Sequence, residues 1–231
     1  MKPTVSRTAG YSLLELLVAT VLFTIISGSV FSLLSTSQLT YQGESTLAAA
    51  FQQANVAIDQ IVRDVHSTGY PPASSFNAAV LLASPDKIAL PFAWSPNYPA
   101  TPCTVNVSCT VPGQYDLILE AADTTGVVQW IRYSLQGTTL LRASCPKAPF
   151  ADPVASTDGQ LVPYLDNVQN QAAGKAIFSY QFDSGEVNLV AKNIRKVDIE
   201  LIVQSSQRDA KTGQFRTITV TGQAVRFNPN Q

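Results

Sequence analysis

From Tyr11 to Leu34 the chain reads YSLLELLVATVLFTIISGSVFSLL, an apolar run whose sole charge is Glu15. A helix rises 1.5 Å per residue, so roughly 20 such residues cross the hydrocarbon core of a bilayer. The run is long enough. The hydroxyls of Ser12, Thr20, Thr24, Ser27, Ser29 and Ser32 can bond back to their own helix and need no water. Lys2, Arg7 and the amino terminus precede the run, and the first charge after it is Glu44. The positive-inside bias therefore places residues 1–10 in the cytoplasm and everything beyond about residue 35 on the far side. A secretory signal peptide carries only about 7–15 apolar residues before a small-residue cleavage site, which this run exceeds. A plain signal anchor and a processed anchor remain as alternatives.

The run leads into a second helical pattern. The polar stretch STSQLTYQGEST is either a turn around Gly43 or continuous helix. Leu47, Phe51, Ala54, Ile58, Ile61 and Val65 then recur at spacings of 4, 3, 4, 3 and 4, which predicts one apolar helix face. Gln52, Gln53, Asp59, Gln60, Arg63 and Asp64 lie largely elsewhere, with Asp59 and Arg63 forming an i,i+4 pair. Gly69, followed by Pro71 and Pro72, ends the helix near Ser67–Tyr70.

Residues 72–231 read as mainly β. Expected strands are Ala78–Leu82, Lys87–Leu90, Tyr115–Leu119, Val127–Ser134, Thr138–Arg142, Ala176–Gln181, Ile194–Gln204 and Phe215–Phe227. In the Ile194 strand, Val197, Ile199, Leu201 and Val203 alternate with Asp198, Glu200, Ile202 and Gln204, as a sheet with one packed face requires. One hairpin turns through Leu135-Gln136-Gly137 and a longer one through SSQRDAKTG. The fold class is thus α+β: a long helix, membrane-spanning in its first half, packed on a mainly antiparallel sheet. Ser84–Gly113 and Cys145–Gly159 read as surface excursions. Phe92, Trp94 and Tyr98 in the first either form an exposed aromatic patch or bury that loop against the sheet.

Composition narrows the function classes. Charged residues make up 13% of the chain, against roughly 25% in a soluble globular domain. The formal charge of −1 supplies no basic field for nucleic acid. All three cysteines, Cys103, Cys109 and Cys145, follow the span, on the side where disulfides are permitted. Cys103–Cys109 closes the smallest loop and is the first expected pairing, with Cys109–Cys145 the alternative. The wide Cys103–Cys109 spacing and a lone histidine, His66 at a helix end, do not make a zinc site. No cofactor is expected. Asp209, Asp183 and Glu186 are the acids open to calcium, but no EF-hand spacing joins them and turn chemistry accounts for them equally well. Asp116 and Glu120 pair two carboxylates with nothing in the sequence to bury either. No nucleophile–base–acid set and no phosphate loop is present, so no enzyme is expected.

Glu15 argues against a plain anchor, because a carboxylate inside a membrane helix is costly. A cut between Gly10 and Tyr11 would place a new ammonium group four residues before it. When such helices bundle, that ammonium and a neighbour's glutamate can neutralise each other in low-dielectric surroundings. The segment Gly10-Tyr11-Ser12-Leu13-Leu14-Glu15-Leu16-Leu17-Val18-Ala19 closely resembles the processing motif of type IV prepilins and type II secretion pseudopilins, with Tyr11 where phenylalanine is usual. The resemblance implies Gly10 as the cleavage residue, Tyr11 as the methylated terminus and Glu15 as the filament-assembly carboxylate. It also implies a prepilin peptidase, other pilins or pseudopilins and inner-membrane lipid as partners. The stretches IVRDVHSTGYPP, VVQWIRYSLQGTTLLRASC and KNIRKVDIELIV are similar to minor subunits, the J-type pseudopilin and related minor pilins. The expected division is a cytoplasmic leader at 1–10, a transmembrane segment at 11–34, a helical stem at 35–69 and a periplasmic domain at 70–231. The implied roles are a minor pseudopilin of type II secretion in the bacterial inner membrane, or a minor type IV pilin acting in assembly, adhesion or DNA uptake.

Overall fold

One helix, α1 (Leu13–Ser67), runs without interruption through the apolar span and the stem. The computed structural model describes residues 10–84, Lys87, Ala89, Phe92, 113–147, 160–182 and 193–227. Gly43 lies inside α1 and does not break it. At the far end Thr68 caps the helix through an N–H bond to Val65 O at 3.2 Å. Gly69 then takes a φ of 76°, a left-handed conformation that costs glycine little. Its N–H and the Thr68 hydroxyl both donate to Glu120 O, at 3.0 and 3.1 Å.

Burial along α1 divides it in two. Every residue from Gly10 to Gln42 is exposed. From Ala50 onward Ala50, Ala54, Ala57, Ile58, Ile61 and Val65 are buried. The packed face is therefore rotated from the expected stripe: Phe51 is exposed and Leu47 only half-buried. The small alanines lie on the inner face because they let the helix axis approach the sheet closely.

A short 3-10 turn at Ala73–Ser75 precedes α2 (Ala78–Ala83). This segment was expected as a strand and is a helix, N-capped by Asn77, whose side chain accepts from Val80 N–H at 2.9 Å. Lys87 is not extended either, since its N–H closes a turn onto Ser84 O at 3.2 Å. Half of the expected Lys87–Leu90 strand lies outside the described residues, as do Trp94 and Tyr98. Phe92 is 2% exposed and belongs to the core, so its ring is packed rather than displayed.

Two antiparallel sheets follow. The first contains, in order, β1 (Asp116–Ala122), β2 (Val128–Gln136), β3 (Thr139–Pro146) and β4 (Val162–Leu165). The second contains β5 (Phe178–Phe182), β6 (Ile194–Arg208) and β7 (Phe215–Val225). β4 was not among the expected strands; it contains Pro163, which is tolerated at a sheet edge, and β4 occupies one. The sheets meet along one edge of β6: Val168 bridges Val203, Gln169 N–H donates to Ile202 O at 2.7 Å, and Gln204 N–H donates to Asn167 O at 2.9 Å. Buried Asn170 secures the junction, donating to Glu200 O and accepting from Ile202 N–H, both at 2.8 Å.

α1 packs across β6 and β7 and touches β1 and β4. In β6, Val197, Ile199, Leu201 and Val203 are buried against it, alternating with half-buried Asp198, Glu200, Ile202 and Gln204. Gly222 in β7 permits the closest approach: a Cβ there would lie within 2.3 Å of Ile58 Cγ2.

Candidate functional site

The start of α1 is built by Ser12. Its backbone is extended and its hydroxyl accepts from Leu14 N–H at 3.3 Å, while its carbonyl receives Glu15 N–H at 3.0 Å and Leu16 N–H at 3.1 Å. Gly10 and Tyr11 consequently stand ahead of the helix, and Tyr11 is 87% exposed. Glu15 falls in the first helical turn, where a negative charge complements the unpaired N–H groups of the helix start. Gly10, Tyr11 and Glu15 are thus gathered within about one turn at a single helix end.

Around and beyond that end the surface is apolar. Leu13, Leu14, Leu16, Phe23, Ile25, Ile26, Phe31 and Leu33 are all exposed. The hydroxyls of Thr20, Thr24 and Ser29 donate to carbonyls of the preceding turn at 2.7–3.1 Å, leaving few polar groups for water. Among the described residues one helix is thus long and apolar enough to cross a membrane, with that window entirely unburied by the rest of the protein.

Two polar clusters fix this helix to the domain, and neither was anticipated from the sequence. Asp64 on α1 accepts from Tyr133 Oη at 2.5 Å and from Arg142 Nη2 at 3.0 Å, and Gln60 Nε2 reaches its other oxygen at 2.7 Å. Burial, reinforced by the Asp64 charge, pushes the Tyr133 hydroxyl far above its ordinary pKa. Nearer the span, Arg216 Nη1 donates to Glu44 at 2.7 Å. The expected Asp59–Arg63 pair is replaced by an Arg63 Nη2 bond to Gln60 Oε1 at 3.0 Å.

Four of the residues considered for chemistry have partners within the fold. His66 packs on Phe227 with ring centroids 4.6 Å apart. Asp116 pairs with Arg132 at 3.2 Å, while Glu120, fully buried contrary to expectation, meets Lys147 Nζ at 2.9 Å. Two separate cations therefore divide these carboxylates. Asp209 Oδ1 accepts from the N–H groups of Thr212 and Lys211 at 2.9 Å, and these bonds, Thr212 first, hold its carboxyl below the usual range. Among the described residues no three His, Cys, Asp or Glu side chains converge as a metal would need. Asp183, Glu186, Cys103 and Cys109 lie outside the described residues. Cys145 on β3 packs beside Ile118 and Trp130.

No protein-family model, curated protein or solved structure matches the chain. Its architecture is pilin-like: a long amino-terminal helix, apolar and bare in its first half, with its second half packed on an antiparallel β domain.

Proposed function

We propose that this chain is a non-enzymatic filament subunit, a minor pseudopilin of a type II protein secretion system. It waits in the inner membrane with its β domain in the periplasm. The observation that carries the reading is a bare apolar half-helix whose one acid, Glu15, lies in the turn directly after the exposed Gly10–Tyr11 bond. Prepilin peptidase would cut that bond and methylate the new amino group of Tyr11. The resulting cation pairs with Glu15 of an adjacent subunit as the helices bundle. Lipid covers the apolar surface before assembly, and other pseudopilins cover it afterwards. The stem clusters at Glu44 and Asp64 make the helix and domain one lever, so withdrawing the helix moves the domain.

Intact-mass analysis of the membrane-expressed protein, with and without the peptidase, tests this. The expected product begins at Tyr11 and carries one added methyl group. Retention of residues 1–10 beside an active peptidase would sink the reading. Association with secretion subunits rather than pilus subunits, read by co-purification, separates the secretion role from a minor type IV pilin acting in assembly, adhesion or DNA uptake.

A further inference from the structure

The β6–β7 turn lies against the part of α1 that follows the apolar span. Asp209, Ala210 and Lys211 share a cleft of about 400 Å³ with Thr36, Leu39 and Thr40. Thr36 is two residues past Leu34, about 3 Å along a helix rising 1.5 Å per residue. The headgroup layer extends about 5–7 Å beyond the hydrocarbon on each side. With Tyr11–Leu34 in the bilayer, the cleft begins at headgroup level at Thr36 and extends beyond it to Glu44, about 15 Å past Leu34.

The side chains suit that level. Asp209 is occupied by its own turn, and Glu44 is occupied by Arg216. Arg208 and Lys211 are exposed, and neither makes an ion pair among the described residues. The Arg208 guanidinium lies 4.6 Å from the Phe215 ring centroid and donates to Gly213 O at 2.9 Å, which holds it at the turn. Leu39 and Tyr41 are exposed on the adjoining helix, and Phe215 is exposed at the start of β7. Exposed cations just beyond an apolar span match a layer of headgroup phosphates.

We propose that the β6–β7 turn is a lipid-docking foot, in which Arg208 and Lys211 bind headgroup phosphates of the leaflet facing the domain. The inference rests on the membrane-spanning reading of Tyr11–Leu34. The foot holds the β domain on the bilayer before assembly, and a subunit leaving the membrane must release it. Anionic lipid strengthens the hold about fivefold for each cation.

The test uses the full chain in nanodiscs of phosphatidylcholine and phosphatidylglycerol, with a trace of phosphatidylglycerol bearing a headgroup photo-crosslinker. Mapping by mass spectrometry is expected to place label on residues 208–216 and 36–44. That label should fall at least about fivefold in R208Q/K211Q and remain in the control K175Q. Excess inorganic phosphate is expected to leave it unchanged. If R208Q disturbs the turn, K211Q alone carries the test. Turn labelling no higher than at Lys175, or undiminished in the variants, would overturn the proposal. Displacement by inorganic phosphate would also overturn it, marking a soluble-anion site instead. A chain that fails to co-elute with the discs refutes the spanning reading itself; a co-eluting chain without label at the turn refutes only the foot.

Discussion

Asp64 and Tyr133, one on the stem helix and one in the middle of a sheet, share a 2.5 Å hydrogen bond across 69 residues of chain. Arg142 closes the triangle, donating from Nε to Tyr133 Oη and from Nη2 to Asp64. The carboxylate is 9% exposed and the guanidinium 25%, so water screens the ion pair only partly. Y133F removes a hydrogen bond to a charged acceptor and is expected to cost about 1.5–3 kcal/mol. D64A also leaves Arg142 without its acid and should cost more. Thermal unfolding of the full chain in detergent micelles checks both, and a smaller loss for D64A than for Y133F would refute the network.

Gly222 controls how closely α1 lies on β7. G222A would force Ile58 Cγ2 away from a position 2.3 Å from the new methyl group. Overpacking of this kind typically costs about 1–3 kcal/mol. I58A should remove the collision while costing stability alone through its cavity. The double variant is therefore expected to be less unstable than the two single losses added together, a coupling read from a double-mutant cycle. Additive losses would mean that the helix does not press on Gly222.

Much of this arrangement was legible from periodicity. The alternation in Ile194–Gln204 fixes the buried face of β6, and Gly69 before two prolines marks the end of α1. Where periodicity is silent, the reading failed for identifiable reasons. The run AAVLLA is too short to separate strand from helix, and only Asn77 as an N-cap favoured the helix. The edge strand β4 is only four residues long and contains Pro163, so no alternation marks it. The rotated face of α1 arose because buried alanines weigh little beside an exposed Phe51. The polar clusters were invisible because Asp64 meets residues 69 and 78 positions away. The Gly10–Glu15 segment, by contrast, is local in sequence, so its spacing is read without any long-range contact.

Alkaline pH should unfold the domain through its tyrosines. Burial first, then the neighbouring acids Asp64 and Asp116 respectively, raises the Tyr133 and Tyr180 hydroxyls above their ordinary value. The unfolded chain releases these protons near pH 10, whereas the folded chain keeps them. The stabilisation is complete below about pH 10 and is lost as pH rises toward the folded values. Y133F is expected to reduce the slope of stability against pH in that range by about 1.4 kcal/mol per unit. Tyrosinate absorbance followed during unfolding should show late, cooperative ionisation in the parent and one fewer such group in Y133F. Equal slopes would show that Tyr133 titrates freely in the fold.

The buried pair Glu120–Lys147, 2.9 Å apart with side chains 0% and 3% exposed, sits where the helix end meets β1. K147M takes the cation from beside a fully buried carboxylate and should cost about 3–5 kcal/mol. E120L/K147M removes both charges and should recover most of that loss. Melting temperatures of the two variants decide the matter; equal losses would show that packing, not charge, dominates there.

Glu15 should behave oppositely to all of these. It lies in the first turn of α1, and no side-chain hydrogen bond or ion pair holds it among the described residues. E15A therefore has nothing in the fold to disrupt and is expected to leave the melting temperature of the β domain unchanged. In a bundle of processed helices, however, the same change removes the only carboxylate available in the span to meet a neighbour's Tyr11 amino group. At low effective dielectric that loss is far larger than for a surface pair. Incorporation into filaments, measured by shear and sedimentation, should fall at least tenfold, about 1.4 kcal/mol per subunit. E15Q should fail as E15A does, since it keeps the shape and loses the charge. Normal incorporation of E15Q would mean that the acid is tolerated in the span without steering assembly.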